Sequence, residues 1–199
     1  MARKGEHSRD EIRLMALDAA ENIVASEGYD ELSARRVASA IGYTVGTLYL
    51  VFRNLDDLIL QVNGRTLDKL YDYLKAAYPG NPQGAPEETL KALAHAYIAY
   101  AETEASRWNM LLEASIRKGD VVPEWYQHKV NRILALGETA VRAFEPDETR
   151  AAHAARVLWA GIYGICVLRI RRRLNLAGGQ SAENMATTLI TNFLRGLRG

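Results

Sequence analysis

The chain has 199 residues, 48% of them hydrophobic and 25% charged, a balance that supports a buried core and excludes a disordered chain. Its formal net charge of +1 gives no bulk attraction for nucleic acid, so any such binding must rest on where the charges sit. The single cysteine, Cys166, excludes an intrachain disulfide, and no Cys/His spacing resembles a metal site.

β-Branched residues are scattered rather than alternating, so the expected class is all-α with about nine helices. The opening MARKGEHSRD has no apolar segment, which predicts no signal peptide and a cytoplasmic location. A first amphipathic helix is predicted from Ser8 to Glu27, with Ile12, Met15, Ala16, Ala19 and Ile23 on one face and Gly28 at its end. Ser33 then caps a helix whose Val37, Ala38 and Ile41 recur at helical spacing. Gly42 breaks it after about two turns, the tight turn that a helix-turn-helix needs. Thr44 caps a second short helix, TVGTLYLVF, with Leu48 and Phe52 facing inward. Gly46, Thr47 and Tyr49 are left outside. A short exposed helix with small hydroxyl residues at its start and a tyrosine close behind suits the major groove of DNA.

Asn54 is placed to cap the next helix, with Asp56 and Asp57 in the first turn where the helix dipole favours negative charge. Leu55, Leu58, Ile59, Val62, Leu70 and Leu74 carry it toward Tyr78. The Pro/Gly-rich stretch 79–86 reads as a linker. Helical patterns resume at about Glu87 to Thr103 and Ser106 to Arg117, break at Lys118-Gly119-Asp120, and return from Val121 to Phe144. Pro146 stops that helix and Asp147 caps another, running to Arg173. After a loop from Asn175 to Gln180, Ser181 caps a last helix ending near Leu197. The expected domains are 1–54, carrying the helix-turn-helix, and 55–199.

This helix order resembles the TetR family of bacterial transcriptional regulators, with Ala38, Gly42, Gly46-Thr47-Leu48-Tyr49, Phe52 and Leu58 at matching intervals. The span from about Arg9 to Val62 carries the resemblance; beyond residue 65 it is architectural only. It implies an N-terminal three-helix DNA-binding domain joined to a helical ligand-binding and dimerisation domain. By position, Thr44, Val45, Gly46 and Thr47 lie nearest the bases, and Tyr49 places its hydroxyl on a phosphate. Arg36 and Arg53 are further phosphate candidates, and Arg3 and Lys4 are placed to reach an adjacent minor groove. The sequence departs from the family at Val45, Leu50 and Leu55, where polar or basic residues are common. The first sixty residues hold seven basic groups against ten acidic ones, so Glu11, Asp18 and Glu21 must point away from the duplex. The plainer alternative is a helix pair used for packing alone, with Thr47 and Tyr49 as ordinary surface residues.

The helix from Glu148 is apolar on two faces. One carries Ala155, Leu158, Trp159, Ile162, Tyr163 and Cys166; the other carries Val157, Gly161, Gly164, Ile165 and Leu168. Burying both calls for a partner chain or for a central place within one chain. The last helix adds Leu189 and Phe193 to a broad apolar surface, and the resemblance implies a homodimer through these two helices. A two-fold dimer in turn implies a palindromic operator. The aromatic residues Tyr97, Tyr100, Trp108, Trp125, Trp159 and Tyr163 are candidates to line an apolar ligand cavity, with core packing as the alternative for each. The longest uncharged apolar run, Val157 to Leu168, is short of the roughly 20 residues that span a bilayer, so no membrane partner is expected. No phosphate loop, nucleophile elbow or carboxylate pair is present, and Cys166 sits in apolar surroundings. No catalytic residue, metal or cofactor is expected. The reading is a DNA-binding regulator of the repressor type, released by a small apolar or amphipathic effector of unknown identity. A DNA-binding dimer without an inducer, controlled by a protein partner or acting structurally, stays open beside it.

Overall fold

The computed structural model describes residues 7–78, 85–113, 121–174 and 178–198. Among these residues there are nine α-helices, one 3₁₀ turn at Tyr29–Glu31, and no strand. The helices are α1 (Arg9–Glu27), α2 (Ala34–Ala40), α3 (Val45–Leu48), α4 (Leu55–Ala77), α5 (Pro86–Thr103), α6 (Ala105–Glu113), α7 (Glu124–Val141), α8 (Glu148–Ile170) and α9 (Ala182–Arg198).

Their starts are set by local chemistry. Ser8 closes a capping box with Glu11: Ser8 Oγ accepts from the Glu11 N–H, and the Ser8 N–H donates to the Glu11 carboxylate at 2.6 Å. That bond from the Ser8 backbone holds the Glu11 carboxyl below its ordinary pKa. Ser33, Thr44, Asn54, Asp147 and Ser181 each accept a backbone N–H from three residues ahead. Gly42 ends the turn after α2 at φ +74°, a left-handed conformation that an L side chain adopts at a cost.

Four predicted bounds shift. α3 is four residues long rather than nine, because Leu50 and Val51 bond three residues back and tighten the chain into turns. α7 begins at Glu124 rather than Val121, with Pro123 extended at the N-cap, and ends at Val141 rather than Phe144. α8 stops at Ile170 rather than Arg173: Arg172 turns left-handed at φ 53°, and the Arg173 N–H reaches the Leu168 carbonyl at 2.7 Å.

The chain divides into two compact units. Unit 1 comprises Met1–Leu67 and Glu104–Val121, so it holds α1 to α3, the first half of α4, and α6. Its core is built on Ala16, Ala20 and Val24 of α1, Val37 of α2, Leu48, Phe52, Leu58 and Val62, closed by Met110 of α6. The buried stripe of α1 is broader than predicted: Leu17, Ala20 and Val24 are buried, while Met15 and Ala19 are only half-buried. α6 packs against α1, which accounts for burial on that side.

Unit 2 comprises Asp68–Thr103 and Val122–Gly199, with α5 packed on α7, α8 and α9, and α8 between α7 and α9. This division differs from the boundary expected at 54/55, since α4 contributes residues to both units and α6 returns to the first. α8 is long and apolar enough to cross a bilayer by length and composition, which the length of its uncharged run did not suggest. It packs on α5, α7 and α9 within unit 2 and carries Arg156 within its span.

Candidate functional site

α3 is held as a rigid exposed platform. Leu48 and Phe52 anchor it in the core of unit 1. Thr44 Oγ1 accepts from the Thr47 N–H at 3.2 Å and lies 3.1 Å from Thr47 Oγ1, so the two hydroxyls form one polar pair at the surface. Tyr49 stands at the end of the helix and is 46% exposed. Gly46 is exposed, and a Cβ built there meets nothing closer than Thr44 Oγ1 at 3.7 Å. Internal packing therefore gives no reason for a glycine at this position; an approaching surface would. Val45, expected near the bases, is half-buried and leans on the core of unit 1 instead. Leu50 is 64% exposed, leaving an apolar side chain beside Tyr49.

The charges around this face are mostly engaged. Arg36, a phosphate candidate in the sequence, has its guanidinium held by Glu27 and Glu31, both at 2.6 Å. It ties the end of α1 and the following turn to α2. Arg53 is the freer cation, with its side chain 79% exposed and Asp57 at 3.8 Å. Arg3 and Lys4 lie outside the described residues. Of the three carboxylates that had to avoid the duplex, Glu11 is engaged in its capping box while still exposed, and Asp18 and Glu21 pair with Arg65 of α4 at 2.6 and 3.1 Å. Arg13 is also taken, lying over the Phe52 ring and donating to Gln61.

Unit 2 contains a partly open cavity of about 70 Å³. Leu74 of α4, Leu90 and Tyr97 of α5, Ile133 of α7, and Leu158 and Trp159 of α8 line it, and no lining side chain carries a formal charge at neutral pH. Of the six predicted aromatic residues, Tyr97 and Trp159 line this cavity and the other four do not. Trp108 belongs to unit 1, where it is 1% exposed. Tyr100 is buried against Tyr73, Tyr163 stacks on Trp159, and Trp125 is exposed with its ring edge-on to Tyr126.

The predicted second face of α8 also resolves into parts. Ile165 is buried in unit 2, and a Cβ on Gly161 would lie 2.6 Å from Leu189 of α9, so Gly161 serves the close approach of α8 to α9 within one chain. Val157 is 46% exposed, Gly164 has nothing within 4 Å of a built Cβ, and Leu168, Leu189 and Phe193 are half-buried. Only 33% of the most apolar stretch of α8 is buried, so apolar surface remains outside. Burial pushes the Cys166 thiol up to about 12, with Glu102 adding to it, which keeps the sulfur protonated and unreactive.

Comparison with known proteins settles the family. Residues 90–193 match the family model described as Tetracyclin repressor-like, C-terminal domain, and residues 16–62 match that of bacterial regulatory proteins, tetR family. The chain belongs to the TetR family. It is thus a DNA-binding transcriptional regulator with a helix-turn-helix, and α2 and α3 are the motif helices. The HTH-type transcriptional regulator AcrR of Shigella flexneri is 27% identical over 127 residues, which span 62% of this chain and 57% of that protein. The TetR-family regulator PfmR from Thermus thermophilus shares the fold with a TM-score of 0.58 at 19% identity, over 90% of this chain and 97% of that one. The multidrug binding protein EbrR, complexed with imidazole, does so with a TM-score of 0.64 at 22% identity, over 97% of each chain.

Within this TetR-family chain, two surface features escaped the sequence. His7 Nδ1 lies 2.8 Å from the Tyr43 hydroxyl, and Leu50 is exposed at the end of α3. Neither could be found by periodicity: the first pairs residues 36 apart, and the second depends on α3 ending early.

Proposed function

We propose that the protein is a homodimeric repressor that reads a palindromic operator in the cytoplasm and leaves it when a small, uncharged apolar ligand enters the cavity of unit 2. Thr44, Gly46, Thr47 and Tyr49 face the DNA, with Arg53 on a phosphate and Arg3 and Lys4 on the flanking groove. The observation that supports the DNA reading is the exposed glycine at Gly46, where an added Cβ would make only an ordinary contact with Thr44 Oγ1 at 3.7 Å, so packing within the chain does not call for a glycine.

The ligand reading rests on the lining of the cavity and on its size. At about 70 Å³ it is smaller than the roughly 300 Å³ taken by a compact drug-sized ligand. A molecule of that size would extend from the open mouth of the cavity or push apart the helices that line it, among them α4. α4 supplies Leu58 and Val62 to the core of unit 1 and Leu74 to the cavity, so a ligand that shifts it favours one state over another. That EbrR, of the same fold, is a multidrug binding protein supports the ligand-responsive reading. Dimerisation is supported by the outward apolar surface of α8 around Val157 and Gly164. The chain acts by binding, and no step of this cycle needs catalysis.

The test uses fluorescence anisotropy of a duplex selected by the protein, titrated with a panel of uncharged apolar compounds. Ala94→Leu fills the cavity from a buried lining position. The variant is expected to bind the duplex as the wild type does and to stay bound when the active compound is added. A variant released as readily as the wild type would place the effector elsewhere.

A further inference from the structure

His7 and Tyr43 make a contact that the helix-turn-helix itself does not require. His7 Nδ1 is 2.8 Å from the Tyr43 hydroxyl, and the rings meet edge-on at 70° with centroids 6.1 Å apart. The contact joins the residue before the α1 cap, Ser8, to the residue before the α3 cap, Thr44. The Tyr43 ring is half-buried against the core of unit 1, so its hydroxyl is a fixed mount, whereas His7 is exposed.

The hydrogen bond determines what the other ring nitrogen offers. When the imidazole is neutral and Tyr43 donates to Nδ1, the ring proton sits on Nε2. When it is protonated, Nδ1–H donates to the tyrosine oxygen and Nε2–H remains a donor carrying part of a full positive charge. With Tyr43 donating to the neutral ring, and again in the protonated ring, Nε2 carries an N–H, and the ring lies against the residue that precedes the α3 cap. Among the described residues, Glu11, caught by the Ser8 N–H, and the Tyr43 hydroxyl are the titratable groups that face His7, with Arg9 and Asp10 exposed in the same first turn of α1.

We propose that His7, mounted on Tyr43, is a DNA-phosphate contact that is stronger when the imidazole is protonated, so that operator affinity rises toward acid pH. It rests on the reading that α3 faces DNA. A cation on a phosphate also releases a counterion, so the same residue contributes to the salt dependence of binding.

The test is anisotropy of the full chain on a selected duplex from about pH 5.5 to 8.5 at fixed ionic strength, with a salt titration at each end. The wild type is expected to bind roughly two- to fivefold more tightly at the acid end, the size of an exposed charge contact. His7→Gln is expected to flatten that dependence and to lower the salt slope by about one at acid pH, with an unchanged melting temperature. Tyr43→Phe, which keeps the ring but removes the mount, is expected to retain only part of the pH response. His7→Gln with the wild-type pH profile overturns the proposal. So does a variant that melts earlier and binds equally weakly at every pH, since that marks a structural tie. A wild type that selects no duplex at any pH overturns the DNA reading itself, and this proposal with it.

Discussion

Replacing Gly46 with alanine separates what the fold needs from what DNA binding needs. The backbone at Gly46 is ordinary right-handed helix, and the added Cβ meets only Thr44 Oγ1 at 3.7 Å, an ordinary contact. Alanine favours a helix over glycine by about 0.8–1.0 kcal/mol at an interior site, so in the first turn of a four-residue helix a gain of about 0.5 kcal/mol is expected. The melting temperature then rises by about 1–2 °C. At the interface the methyl stands where a base edge or phosphate must come close. An inserted methyl in a packed contact costs about 1–3 kcal/mol, which converts to roughly 5- to 150-fold weaker binding. Circular dichroism melts and anisotropy on one protein preparation read both effects. Affinity within twofold of the wild type would mean that α3 does not approach DNA closely. A lower melting temperature would mean that Gly46 has a packing role, contrary to its open surroundings.

Thr47→Ala is expected to relax sequence preference as well as affinity, whereas Tyr49→Phe weakens binding alike across sequences; unchanged binding in both would remove α3 residues from the interface. Cys166 gives a pH prediction. Its folded pKa is raised to about 12 by burial, so the unfolded chain loses this proton first, and the stability it contributes is full below about pH 9 and declines as pH rises toward 12. The urea midpoint should fall between about pH 8 and 10.5 more steeply in the wild type than in Cys166→Ala; parallel slopes would contradict the burial of the thiol. Arg172→Gly relieves a left-handed backbone at φ 53° and should raise stability by about 0.5 kcal/mol, read from the same urea curves. A loss instead would show that the Arg172 side chain outweighs its backbone strain.

Helix starts were legible because capping is chemistry within four residues. Ser33, Thr44, Asn54, Asp147 and Ser181 cap where their sequence positions said they would, and Ser8, expected as the first residue of α1, is its cap. The outer face of α3 was legible in part for the same reason, since Leu48 and Phe52 turn inward and leave Tyr49 exposed, with Thr47 half-buried. What depends on distant partners was not. Arg36 looked free until Glu27 and Glu31 closed on it, and α6 gave no sign that it would pack on α1. Aromatic content pointed to a cavity, but register within α5 and α8 decides that Tyr97 and Trp159 line it while Tyr100 and Tyr163 do not. Gly161 shows the same limit: a small residue on an apolar face marks a close approach, and only the structure shows that the neighbour is Leu189 of the same chain.

The central claim is that this TetR-family chain reads one operator as a two-fold dimer through α3. Selection of bound duplexes from a random pool at physiological salt tests it most directly. The expected result is one palindromic motif whose half-sites are set by the spacing of two recognition helices, and loss of that motif in Gly46→Ala. Recovery of no motif, with only weak and salt-sensitive binding, would contradict it.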